Sequence, residues 1–126
     1  MKILFLALVL FLSNQSSASE ISPVSELEIL KNFSDRGCPA DTIRFVVEPL
    51  ARENSKDRIY TCKNLCGAHE CEYSVYIQKD KKFIFSNSFT GEYKVIKQKN
   101  KPSEISVSSS LSPSKKTLKF KNGRFQ

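Results

Sequence analysis

The residues best suited to chemistry lie in one short segment, Cys62-Lys-Asn-Leu-Cys66-Gly-Ala-His69-Glu-Cys71. Three thiols and an imidazole are the donor set of a Cys3His zinc site. The separations, C-x3-C and C-x4-C, differ from the paired C-x2-C usual in such sites and from the C-x-x-C of thiol–disulfide enzymes. A fourth thiol, Cys38, stands upstream and makes the count even. In a short exported chain an even count reads as a disulfide framework. Of the three pairings available, spacing favours a tight Cys66–Cys71 loop and a longer Cys38–Cys62 link, without fixing them.

His69 is the chain's only histidine. A nucleophilic enzyme needs a nucleophile, a base and a group that holds the base. Pairing all four cysteines leaves no thiol for that role, and no serine lies in a G-x-S-x-G context. The enzyme reading that survives is a small hydrolase using His69 with an acidic neighbour. The pairs Glu70/Glu72 and Glu26/Glu28 have the residue types of glycosidase chemistry but fall in surface-type sequence. With four glycines and no glycine-rich phosphate loop, nucleotide chemistry has no foothold. A ribonuclease usually relies on histidine for acid–base work, and a single histidine argues against one. No catalytic residue, cofactor or metal is therefore assigned.

The second chemical feature is charge. Residues 19–48 carry three basic and six acidic side chains, residues 49–80 five of each, and residues 81–126 eleven basic and two acidic. The C-terminal third thus holds a net +9. Lys97, Lys99 and Lys101 share one parity, and Lys115, Lys119 and Lys121 share another. On strands, residues two apart line one face. These six lysines predict a basic face for an anionic partner: acidic lipid headgroups, lipopolysaccharide, acidic glycans or an acidic protein. A solvated Lys-rich face that guards sheet edges is the plainer alternative. Lys suits diffuse anionic contacts, not bidentate recognition. Base-stacking aromatics are not interleaved with the lysines, and nucleic acid is not an expected partner.

The N-terminus assigns the compartment. Met1-Lys2, ten apolar residues from Ile3 to Leu12, and Ser16-Ser17-Ala18 form the n-region, h-region and small-residue site of a signal peptide. The apolar run is shorter than the roughly 20 residues that span a bilayer. Residues 1–18 are expected to be cleaved, leaving 19–126 as one domain, periplasmic or secreted, with no transmembrane segment.

The elements that must position these residues are mostly strands. Ser25 predicts the cap of a helix over Glu26–Phe33, with Leu27, Leu30 and Phe33 at helical spacing. Asp35 to Pro39 breaks it. From Thr42 onward short β-rich runs follow at roughly ten-residue spacing: 42–47, 58–62, 73–77, 82–85, 92–96, 104–108 and 117–121, the last with Asn122-Gly123 as a hairpin signal. Ile105, Val107 and Leu111 are expected to face one way. The fold class is mainly β (α+β): a short N-terminal helix, then an antiparallel meander of six or seven strands, as a curled sheet or small open barrel.

From Cys66 onward the chain resembles a group of small, uncharacterised, exported bacterial proteins. The matching residues are Cys66, Cys71, Tyr73-Ser-Val-Tyr-Ile77, Phe89-Thr-Gly91-Glu-Tyr93 and Leu118-Lys-Phe120-Lys-Asn-Gly123-Arg-Phe125. The last follows their closing Y-x-F-x-G-x-x-Y element with Phe125 in place of the final Tyr, and Lys101 to Ile105 departs from the Gly and Asp of that pattern. The resemblance implies a cell-envelope location and a β fold, and brings no activity. The function expected is a non-catalytic exported binding or accessory module, an inhibitor-like protein among the options, with the hydrolase and a zinc protein built on Cys62–Cys71 as rivals.

Overall fold

The computed structural model describes residues 22–126; the signal peptide expected over residues 1–18 lies outside them. The helix α1 spans Glu26–Asp35. Ser25 caps it through a reciprocal box: the Glu28 amide donates to the Ser25 hydroxyl at 3.2 Å, and the Ser25 amide donates back to the Glu28 carboxylate at 3.5 Å. The buried stripe is Ile29 and Phe33, not Leu27, which is 78% exposed. At about 100° per residue, Leu27 points roughly 200° away from Ile29, so one helix face cannot bury both.

Eight strands follow: β1 Ile43–Glu48, β2 Asp57–Cys62, β3 Glu72–Lys79, β4 Lys82–Thr90, β5 Glu92–Gln98, β6 Lys101–Ser109, β7 Ser112–Lys121 and β8 Arg124–Phe125. The eighth is the short second arm of the Asn122-Gly123 hairpin. Both turn residues take positive φ, 53° and 80°, as a two-residue type I′ turn requires. The strands form two antiparallel sheets in chain order, β1-β2-β3-β4 and β5-β6-β7-β8. The meander is as expected; it divides into two four-stranded sheets and closes no barrel.

Alternation along β3 explains the layering. Val75 and Ile77 join Ile59, Phe89, Leu50 and Ala51 from the first half against Ile105, Val107, Leu118 and Phe125 from the second. Tyr76 points the other way with Tyr60, Phe83 and the Cys38–Cys62 pair, against Ile29 and Phe33 of α1. Helix, first sheet and second sheet thus stack as three layers, and the central part of the first sheet, β2 and β3, is buried on both faces. Each fully buried apolar side chain stabilises the fold by about 1.5–3 kcal/mol relative to exposure. Leu111 is outside this core: it sits in the β6–β7 turn and is 90% exposed.

Three local devices lock the layers. The β3–β4 register slips so that Val75 faces Asn87 and Tyr76 faces Phe85, leaving Ser86 as the extra residue of a bulge. Its hydroxyl accepts from the Phe125 amide at 2.7 Å, while the Asn87 side-chain amide donates to the Phe125 carbonyl at 3.0 Å. Gly91, at φ 136°, links the sheets, and a Cβ there would run into the Ser108 carbonyl. Asp57, fully buried, accepts from the amides of Leu50 and Ala51 at 2.9 Å, the Ser55 hydroxyl at 2.5 Å and the Gln78 amide at 2.8 Å. Those four donors shape the loop of residues 49–56, which Ser103 fastens to β6 by donating to the Leu50 and Pro49 carbonyls.

Candidate functional site

The disulfides are Cys38–Cys62 and Cys66–Cys71, the pairing that spacing favoured. With every sulfur bonded to another, no thiolate is left for the Cys3His set, and no cluster of metal ligands occurs among the described residues. The Cys66–Cys71 loop instead forms one wall of an open groove of about 490 Å³, completed by Glu72, Thr90, Ser110 and Leu111. His69 is exposed on its rim. The groove gathers the histidine and both acidic neighbours named from sequence, and commits both carboxylates elsewhere. Glu70 accepts from the Ser109 hydroxyl at 2.8 Å and from the amide and hydroxyl of Ser110. These bonds, the Ser110 hydroxyl foremost, hold its carboxyl below the usual range. Glu72 is paired with Arg36. The pair Glu26/Glu28 serves α1 instead: Glu28 completes the cap, and Glu26 pairs with Arg58 at 3.1 Å. That places Arg58 over the rings of Phe45 and Phe83, at 4.3 and 4.5 Å.

The six lysines are all exposed, and none makes an ion pair among the described residues. Register shows where each stands. Glu104 lies opposite Lys119, and Gln98 opposite Lys101. The C-terminal end of β5, the start of β6 and the C-terminal end of β7 therefore meet at one end of the second sheet. Lys97, Lys99, Lys101, Lys119 and Lys121 gather there. Lys115 does not: six residues before Lys121 along the strand, it lies about 20 Å away, towards the Cys66–Cys71 groove.

Lys97, Lys99 and Lys101 do not share the single strand face that their parity predicted. The β5–β6 register slips between Ile96 and Gln98, and Asn100 turns the chain with φ 61°. The three wrap around a hairpin end and line a recess of about 380 Å³ with Arg52, Glu53 and Pro49. Lys119 and Lys121 alternate away from the buried Leu118, while Lys115 lies where the β6–β7 register slips, between Lys116 and Ser112, and Lys116 beside it is exposed as well.

Two cations at this end were missed. Arg124 pairs with Lys121 across the Asn122-Gly123 turn, a position the hairpin signal already implied. Arg52 arrives from the 49–56 loop, which Asp57 and Ser103 bring against β6. Nothing in the local sequence around Arg52 announces that contact.

The fold and this end together define a disulfide-crosslinked, two-sheet β domain with a one-sided basic tip. Comparison with protein-family models, curated proteins and solved structures finds no match to the chain. No helix among the described residues is long and apolar enough to cross a membrane.

Proposed function

We propose that the chain is an exported, non-catalytic binding module whose basic end attaches to an anionic polymer or surface. The observation that carries this is the convergence of Lys97, Lys99, Lys101, Lys119 and Lys121 with Arg52 and Arg124, set by strand register and left without ion pairs among the described residues. Among the described residues, Glu53 lines the same recess and Glu104 stands opposite Lys119, two acids against seven cations. A concentrated single-sign patch draws oppositely charged partners and holds them through many weak contacts. Flexible ammonium groups on a hairpin fit a repeating anion, such as an acidic glycan or a leaflet of acidic headgroups, better than one small ligand. The resemblance to small envelope proteins of bacteria agrees with such a partner.

The experiment is binding to anionic and to neutral vesicles, and to an acidic polysaccharide, from about 20 to about 300 mM salt. Binding to the anionic materials should fall steeply as salt screens the lysines. The K97E/K99E/K101E variant should lose it, while K115E, altered at the far end, should keep it. Binding that ignores salt, or that falls equally in both variants, overturns the proposal.

A further inference from the structure

Each sheet of this fold has two edges, and an unpaired edge is a template for another strand. Three of the four are protected. Along β4, the Val24 and Phe83 backbones exchange hydrogen bonds at 2.7 and 2.8 Å, and Phe125 and Arg124 bind Ser86 and Asn87 further along. The β5 edge carries Lys94 and Lys97 and a register slip. On the far side, β7 carries Lys115 and Lys116 and a register slip before β8 covers its end.

The fourth edge, β1, has none of these devices. Its six residues, Ile-Arg-Phe-Val-Val-Glu, include no Lys or Pro and pair with β2 in unbroken register. Phe45, Val46 and Val47 are 42%, 45% and 52% exposed. No strand covers the outer side among the described residues.

We propose that β1 is a homodimer interface, pairing antiparallel with β1 of a second copy to join the first sheets edge to edge. The occupant is argued from charge and geometry. In a two-fold antiparallel pair, opposing residues must share a side of the sheet and a hydrogen-bonding direction. Opposed residue numbers must therefore sum to an even value. The register centred on Val46 sets Val46 against its copy, Phe45 against Val47, and Arg44 against Glu48, with both charge pairs repeated by symmetry. Centring on Phe45 would set Arg44 against Val46 and leave both charges unmatched. In the monomer, the Arg44 guanidinium donates only to the Asp41 and Ile43 carbonyls, and neither Arg44 nor Glu48 makes an ion pair among the described residues. Opposite charges and apolar pairs facing each other across strands are what stabilise such a ladder.

The test is sedimentation velocity of the purified protein over a concentration series, with circular dichroism to confirm that each variant is folded. The wild type should show a monomer–dimer equilibrium. R44E and E48R each place like charges opposite one another twice, and each should raise the dimer dissociation constant at least about tenfold. The swap R44E/E48R restores opposite charges in the same register and should recover the dimer. Either single variant gives the reading if the other fails to fold. A monomer at every concentration, including one whose edge is covered by another segment of its own chain, overturns the proposal. So does a dimer indifferent to the charge reversals, or a swap that recovers nothing.

Discussion

Asp57 is the residue on which most local order depends. Its buried carboxylate satisfies three backbone amides and a hydroxyl from three separate places in the chain. The D57N substitution keeps the shape but turns a donor towards donors. A loss of about 2–3 kcal/mol should follow, read by urea denaturation. A change under about 0.5 kcal/mol would mean that the loop holds itself. Glu70 acts at the opposite end, tying the Cys66–Cys71 loop to the β6–β7 turn. Its folded carboxyl titrates below its ordinary value of 4.5, chiefly through the Ser110 hydroxyl. That contribution is complete above pH 4.5 and drains away as acid protonates the folded carboxylate. E70Q should therefore lower the melting point near neutral pH and flatten the acid side of the stability curve. An unchanged acid profile would remove this role. Neither role was legible in the sequence: Glu70 stood out there only as a candidate acid beside His69, and Asp57 is one acid in a polar stretch whose value comes from donors up to 21 residues away.

At the scale of elements, what the sequence shows is periodicity, and what it hides is where periodicity breaks. Ser25 and Glu28 announce the helix start, and Asn122-Gly123 announces a hairpin, because both are local chemistry. The Ser86 bulge meets Phe125, 39 residues further along the chain, and the β5–β6 slip accompanies a positive-φ turn at Asn100 that lacks an Asn-Gly signal. That is why Lys97, Lys99 and Lys101 looked like a stripe and form a cluster. Gly91 is a related case, a glycine whose need appears only once β6 passes beside it. G91A should cost more than about 2 kcal/mol, since it combines a positive-φ penalty with a backbone clash against Ser108. Tolerance of alanine there, seen as an unshifted thermal midpoint, would mean that the sheets can separate slightly without loss.

For the whole molecule, compositional texture was sufficient for the class, a β-rich meander after one helix, and insufficient for its division into two sheets. The division depends on β3 and β4 burying side chains on both faces, and short apolar runs look the same whether one face or two are covered. The basic end was legible in half: five of its seven cations were named, and the end itself emerged only from register. Crosslinks act at this scale as well. Removing Cys38–Cys62, whose sulfurs sit in the helix-side core and close a 24-residue separation, should cost about 3 kcal/mol. Removing Cys66–Cys71, with a separation of 5, should cost less, about 2 kcal/mol. Melting of the paired alanine variants checks that order, and a reversed order would point to the groove loop as the more important constraint.

Both crosslinks fall between residues 38 and 71, wholly inside the half that forms the first sheet. The chain from β5 onward carries no crosslink and is fastened by packing and by hydrogen bonds to β4, to the 49–56 loop and to Glu70 of the Cys66–Cys71 loop. Amide exchange under native conditions should accordingly detect β5 to β8 opening together as one cooperative unit, ahead of global unfolding. Mild reductant should accelerate exchange in β1 to β4 while leaving that earlier opening at nearly the same rate. The oxidised half would then persist as a folded platform on which the basic half docks and undocks.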